Sequence, residues 1–274
     1  MKELKAKATD LLKKYHLTPD AVHFGQHFLI EPGTIDLFVK TCNASKTNTV
    51  LEIGPGLGFI TKALLRKGVK LTTVEVDERL KPILKDIQKE FPPLRFIIQN
   101  VLQYDSFHFD TICGALSYNI FEPLIRKLFR NNDFQQGVFI VSNKFVEDYK
   151  EHSSILSLLL EAFFTVEFVR ELPPDFFYPK PRTGGAMIKI TRSKTGDKYH
   201  FLLRELFIQG DKKVKNALRE GLIAYNQSVG QKLTKKEART TIQSLIRSQE
   251  SNEVIFQCSK KFLGKLDLFL RSLS

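Results

Sequence analysis

From residue 49 onward, short apolar runs alternate with amphipathic stretches at a regular spacing. Residues 49–53, 70–76, 95–98, 110–113 and 137–141 are predicted strands, and 59–67, 78–90 and 121–129 are predicted helices. Near-continuous apolar strands separated by helices of about ten residues imply βαβ units and a parallel sheet covered on both faces. A helix at the N-terminus comes before this pattern. Residues 22–30 (VHFGQHFLI) then read as a loop leading into a helix around 32–42. Two later extended runs, 165–170 and 186–191, are expected to close the sheet as an antiparallel pair. The segment between them, PPDFFYPKPRTGG, is expected to be a loop, because its prolines and glycines fit neither a helix nor a central strand.

Beyond about residue 195 the texture changes. Residues 199–208, 212–223, 235–246 and 254–270 carry apolar positions at helical spacing with Lys and Arg between them. The expectation is an α/β domain over 1–194 and a small basic helical domain over 195–274, with the boundary near 192–198. Charge supports that division. The formal net charge is +12, and from Thr191 to Ser274 there are 17 Lys+Arg against 8 Asp+Glu, a net of +9 that leaves only +3 for the first 190 residues. A basic module beside a near-neutral one suggests a polyanionic partner, although a solvated helical surface gives the same charge pattern.

Composition narrows the class. The chain is 42% apolar and 26% charged, as in a soluble globular protein, and no run approaches the roughly 20 apolar residues of a membrane span. The opening MKELKAKATDLLKKYHL lacks the apolar core of a signal peptide, and Glu3 and Asp10 argue against an acid-poor transit peptide, so a cytoplasmic protein is expected. Cys42, Cys113 and Cys258 are far apart and show no CxxC spacing, which fits reduced core thiols. The histidines form no HxxxH or His/Cys cluster, so no metal is expected.

The candidate chemistry sits at the first strand-to-helix turn, Leu51-Glu52-Ile53-Gly54-Pro55-Gly56-Leu57-Gly58. Glycines there let a ligand approach the backbone, and the next helix begins with free N–H groups. Glu75 ends the following strand, 21 positions after Gly54, where an acidic side chain can accept from ribose hydroxyls. This geometry serves NAD as well as S-adenosylmethionine. The form is GxGxG after an acidic residue, not GxGxxG, and it resembles motif I of the class I methyltransferases. Asn100, after the third strand, stands where such enzymes often have Asp. It keeps an acceptor oxygen, although a plain turn residue fits the position too.

Several segments together resemble one family. Gly25-Gln26-His27-Phe28-Leu29 is similar to the GQ(N/H)FL segment of the small-subunit rRNA adenine dimethyltransferases of the KsgA type and of the related Erm enzymes. EIGPGLGFIT resembles their cofactor loop, VEVD their second strand, DFFYPKPR their FxPxPKV loop, and FIQGDKKVKNAL the run that opens their C-terminal domain. The likeness runs from Phe24 to Leu218 in the expected order, and the last segment favours the small-subunit branch.

The resemblance implies a Rossmann-like methyltransferase domain with a helical C-terminal domain. It also implies S-adenosylmethionine as cofactor, and two methyl transfers to the exocyclic amine of each of two adjacent adenosines near the 3′ end of small-subunit rRNA. It assigns His27, Leu29, Gly54, Gly56, Glu75, Asn100 and Ala115 to the cofactor. Leu116, Ser117, Tyr118 and Phe177 fall to the target adenine, and Lys212, Lys213, Lys215 and Arg219 to RNA phosphates. A target base must leave its stack to reach such a site. The small ribosomal subunit is the expected partner, with no membrane association and a monomeric chain.

The likeness breaks at three places on the expected catalytic face. Ala115-Leu116-Ser117-Tyr118 replaces the family's N-(L/I)-P-(Y/F) loop and lacks its side-chain acceptor, a loss that typically lowers rates on the order of 10²–10³. Asn143-Lys144-Phe145 stands for a QKE-type run, and Gly184-Gly185 for Asp-Ser. Gly210-Asp211 also departs from the basic pair expected before Lys212. Two readings follow: an active rRNA adenine methyltransferase, or a ribosome-assembly factor that keeps the fold and transfers poorly or not at all. A transcription-factor role, as in mitochondrial relatives, comes third. A dehydrogenase fits the glycine loop but not GQHFL, FFYPKPR and the basic helices.

Overall fold

The computed structural model describes residues 1–20, 24–130, 134–152, 154–193 and 196–273, with the side chains of Tyr118 and Ile246 outside the description. The strands are β1 (Phe28–Leu29), β2 (Thr49–Ile53), β3 (Lys70–Glu75), β4 (Arg95–Ile98), β5 (Phe109–Ala115), β6 (Phe134–Ser142), β7 (Phe164–Leu172), β8 (Phe177–Tyr178) and β9 (Gly185–Arg192). Between them run α1 (Lys2–Lys14), α2 (Pro32–Thr41), α3 (Phe59–Arg66), α4 (Lys81–Glu90), α5 (Tyr118–Leu128), α6 (Asn143–Lys150) and α7 (Ile155–Phe163). The chain ends with α8 (Lys198–Ile208), α9 (Val214–Ser228), α10 (Lys235–Thr241), α11 (Gln243–Ile246) and α12 (Lys260–Ser272).

Seven strands form one sheet in the order β4-β3-β2-β5-β6-β9-β7. The pairs β2·β3, β3·β4, β2·β5 and β5·β6 are parallel, and β9 joins β6 antiparallel. The order reverses at β2, so the C-terminal ends of β2, β3 and β5 surround a topological switch point, where open α/β sheets bind ligands. Central strands are apolar on both faces: Val50 and Leu51 are fully buried, as are Phe38 of α2 and Leu64 of α3 packed around them. Each such side chain contributes about 1.5–3 kcal/mol relative to exposure.

The chain divides into two compact units, Met1–Val146 with Val166–Thr191, and Glu147–Thr165 with Arg192–Ser274. The last of the three crossings lies at 191/192, and residues 147–165, which include α7 and the first two residues of β7, group with the C-terminal helices. Specific bonds explain the grouping. Arg204 of α8 donates from Nε to the Ala162 carbonyl at 2.6 Å. Arg271 of α12 reaches Glu161 at 2.7 Å and Asp267 at 2.9 Å, and Asp267 accepts from the Tyr199 hydroxyl at 2.6 Å. The sequence pattern had not shown α7, because ILSLLLEAF is apolar nearly all round and has no helical stripe. Its start is set by a capping box in which Ser154 and Ser157 satisfy each other's amides.

Two expected loops contain short strands. Phe28 pairs with Tyr178 and Leu29 with Phe177, so the GQHFL segment and the proline-rich loop form a two-stranded ribbon. Prolines flank β8 without interrupting it, which leaves its amides free to pair.

Candidate functional site

A cavity of about 400 Å³ opens at the switch point, within the roughly 300–1,000 Å³ range of small-molecule sites. Its walls come from the glycine loop after β2, the end of β3, Gln99 and Asn100 after β4, the Ala115–Ser117 turn after β5, and the Phe24–Leu29 segment. The residues assigned to the cofactor from sequence, His27, Leu29, Gly54, Gly56, Glu75, Asn100 and Ala115, all line it, as do Leu116 and Ser117.

The glycines are required by geometry. Gly56 has φ +56°, and a Cβ there would meet the Phe28 ring at 2.9 Å. Gly54 has φ +68° and nothing within 4 Å of where a Cβ would stand, so it faces open cavity. Glu75 is 5% exposed and held by three backbone amides: Gly56 at 3.2 Å, Val76 at 2.9 Å and Asp77 at 3.0 Å. Burial raises its carboxyl above the usual range even though these donors pull it down.

Glu52, one strand over, was not assigned a role from sequence. It is 2% exposed, lines the cavity, and its Oε2 has no hydrogen-bond partner. Burial pushes its carboxyl up to about 8, the Thr61 hydroxyl beside it opposes the rise, and the Glu75 charge adds to it. Thr61 Oγ1 is itself buried and without a partner, so the two groups are neighbours that fall short of hydrogen-bond geometry. A charged residue in the middle of the otherwise apolar TVLEI strand was the available signal.

The Phe24–Leu29 segment is tied down at both ends. Gln26 Nε2 donates to Asp77 Oδ2 at 2.6 Å, and Arg79 grips the same carboxylate from Nε and Nη2 at 2.8 and 2.7 Å. Burial raises the Asp77 carboxyl, but these donors outweigh it and hold the group below its ordinary value. The Arg79 guanidinium also lies 5.7 Å from the Phe24 ring centroid. His27 Nδ1 lies 2.8 Å from the Pro179 carbonyl, which joins this segment to the proline-rich loop.

The turn after β5 departs from the sequence expectation. The resemblance assigns both Leu116 and Ser117 to the target adenine, through backbone carbonyls that orient its amine, and for Ser117 the geometry differs. The Ser117 carbonyl instead accepts the amides of Ile120 at 3.1 Å and Phe121 at 2.9 Å, because Ser117 is the N-cap of α5. Leu116, whose amide bonds the Ile140 carbonyl at 2.9 Å, contributes the loop carbonyl that does not cap α5. The Tyr118 side chain lies outside the described residues. Asn119 lines the cavity four positions after Ala115 and brings a side-chain amide to the site.

Phe177 does not line the cavity. It is 8% exposed, paired opposite Leu29, and belongs to the hydrophobic core. The other two sequence departures also have packing reasons. Phe145 is fully buried and meets Phe121 edge-on at 5.1 Å. Gly184 and Gly185 leave no room for a Cβ against the Leu172 and Val141 carbonyls.

In the second unit, Lys212 and Lys213 are exposed at the start of α9, with Lys215 and Arg219 half-buried along it. Lys212 is paired to Glu220 at 2.5 Å, and Arg219 makes a longer contact with the same carboxylate at 3.7 Å. Lys213 and Lys215 therefore present their charge more openly than Lys212.

The profile of one family, ribosomal RNA adenine dimethylase, matches residues 21–255. The chain belongs to that family. A relative in Pyrococcus abyssi, described as a probable ribosomal RNA small subunit methyltransferase A, is 29% identical over 267 residues and covers 95% of both chains. One of the same description in Methanococcoides burtonii is 31% identical over 207 residues, 72% of this chain and 76% of the relative. A dimethyladenosine transferase from Plasmodium falciparum superposes with a TM-score of 0.60 at 21% identity, covering 89% of this chain and 98% of that one, which shows the shared fold. The family and its class I methyltransferase fold match the sequence expectation, with S-adenosylmethionine as cofactor. They favour the enzyme reading over the assembly-factor one. Among the described residues no helix is long and apolar enough to cross a membrane.

Proposed function

We propose that this chain is an S-adenosylmethionine-dependent methyltransferase that dimethylates two adjacent adenosines near the 3′ end of small-subunit rRNA. The observation that carries the proposal is the cavity itself. Every residue assigned to the cofactor lines one 400 Å³ space, and the Ala115–Ser117 turn forms its far wall.

The residues present fit the cofactor. Gly54 faces open cavity, and Glu52 presents a buried acceptor oxygen without a partner. Glu75 would accept from the ribose hydroxyls, the Asn100 amide would meet the adenine, and Glu52 with His27 would hold the amino-acid end. When bound, the cofactor supplies an electrophilic methyl group on a sulfonium.

The protein's part in the transfer is orientation. The target amine is a weak nucleophile because its lone pair is delocalised into the ring. The Leu116 carbonyl accepts one amine hydrogen, and the Asn119 side-chain oxygen takes the place at the amine that Ala115 cannot fill. Tyr118 stacks on the flipped base. No general base is needed, since the proton leaves after the new N–C bond has formed. Lys213 and Lys215, with Lys212 and Arg219 behind them, meet RNA phosphates. The chain works as a monomer in the cytoplasm on the small ribosomal subunit.

The test is product identity. Small subunits lacking these methyl groups are incubated with the protein and labelled S-adenosylmethionine, and the RNA is digested to nucleosides. Label in N6,N6-dimethyladenosine from two adjacent positions is expected. Label in any other nucleoside, or none, overturns the proposal.

A further inference from the structure

A second cavity, of about 650 Å³, lies between α2 and α3. Its lining includes three exposed cations, Lys40, Arg66 and Lys67, and one carboxylate, Asp36. Two more exposed lysines extend the patch. The Lys46 stem lies against Gly68, where its Cγ is 3.0 Å from the position a Cβ would take, and Lys70 opens β3. Among the described residues none of these five cations has a carboxylate partner. Other basic side chains of this unit differ: Lys62 pairs with Glu90, Arg79 with Asp77 and Lys127 with Asp105, whereas Lys2, Lys13 and Lys85 are exposed and have no carboxylate partner among the described residues, but lie outside the groove.

Part of this has a local cause. Lys40 and Arg66 sit in the last turns of α2 and α3, where the helix dipole favours positive charge. That effect accounts for these two and for Lys67, the C-cap of α3, falls off within one turn, and reaches neither Lys46 nor Lys70. The groove floor is small and unobtrusive, with Ala44 and Ala63, and offers no aromatic anchor of the kind that dominates protein interfaces. Concentrated unpaired charge on a polar concave surface fits a phosphodiester backbone.

Its position is informative. The groove lies where α2 leads into β2 and α3 into β3, at the N-terminal ends of strands whose C-terminal ends form the cofactor cavity. Five residues of β2 at about 3.3 Å each separate the two by roughly 16 Å, so a contact here is distinct from any made by the base in the cavity.

We propose that the α2/α3 groove is a second phosphate-binding site, which holds a backbone segment of the rRNA away from the target adenosines. The inference rests on the rRNA reading above. A substrate with only the target strand uses the cavity alone, whereas a folded rRNA reaches both places.

The test compares two triple variants with the wild-type chain for binding to undermethylated small subunits across a salt series. One is Lys40→Gln/Arg66→Gln/Lys67→Gln. The other, Lys2→Gln/Lys13→Gln/Lys85→Gln, removes the same net charge from exposed positions outside the groove. The groove variant should bind about tenfold or more weakly, and its slope of log affinity against log salt should fall by about 2–3, as expected for three lost phosphate contacts. Its affinity for S-adenosylmethionine should not change, and the control variant should lose much less RNA affinity. Wild-type affinity and slope in the groove variant, or an equal loss in the control, overturn this inference and leave the rRNA reading intact. A wild-type chain that binds no subunit overturns both.

Discussion

The Ser117 carbonyl accepts the Phe121 amide at 2.9 Å, so the residue in the family's proline position serves here as a helix cap. Its φ is −67°, the value proline imposes, and no bond from its own amide is among the described backbone hydrogen bonds. Ser117→Pro should therefore fold normally and gain about 0.4–1 kcal/mol through a less flexible unfolded chain. A thermal melt checks this. A lowered Tm would mean that the turn after β5 is not built as described.

Glu52 makes stability depend on pH in a definite direction. Its folded carboxyl titrates near 8 against an ordinary value of 4.5. The folded state therefore holds this proton more tightly, and the contribution to stability is present below about pH 4.5 and lost as pH rises toward 8. Glu52→Gln mimics the protonated acid. It should melt close to wild type at pH 5 and higher than wild type at pH 9, by on the order of 5–10 °C. Parallel melting curves across that range would contradict the burial argument.

Gly56 carries two independent constraints, a positive φ and the Phe28 ring. Gly56→Ala adds left-handed strain of about 1–2 kcal/mol and pushes Phe28 off the glycine loop. Calorimetry should show S-adenosylmethionine binding weakened at least tenfold, with the overall fold retained by circular dichroism. Unchanged affinity would place the cofactor elsewhere.

Asn119 tests how the turn works without an amide at position 115. Asn119→Ala should lower the transfer rate on the order of 10²-fold, the scale for losing one oriented polar contact. Affinity for S-adenosylmethionine should stay within twofold (about 0.4 kcal/mol) of wild type. Loss of cofactor affinity with an unchanged single-turnover rate would move Asn119 from the amine to the cofactor.

Elements set by local pattern were readable in the chain. TVLEI, KLTTVE and RFII are β2, β3 and β4, and the glycine loop with Glu75 pointed to the cavity that encloses both. What was not readable depended on contacts distant in sequence. The Phe28–Leu29 strand exists because residues 177–178 pair with it. Phe177, paired with Leu29, lies in the core, whereas the resemblance assigns it to the target adenine. Gly184 and Gly185 looked like catalytic losses, yet two strand carbonyls leave no space for side chains there. The fate of the Ser117 carbonyl required knowing that α5 starts at Tyr118, three residues before the predicted start at Phe121. Glu52 was visible as a buried-strand charge but had no assigned partner, and the cavity that explains it is assembled from several elements.

The most direct measurement is the single-turnover rate of methyl transfer to undermethylated small subunits, with wild type and Ala115→Asn side by side. If Leu116 and Asn119 orient the amine, wild type transfers both methyl groups to each of the two adjacent adenosines, and Ala115→Asn changes the rate by less than about tenfold, well below the effect of losing an oriented contact. A wild-type chain that binds the subunit but transfers nothing, with activity restored by Ala115→Asn, would contradict the account and return the assembly-factor reading.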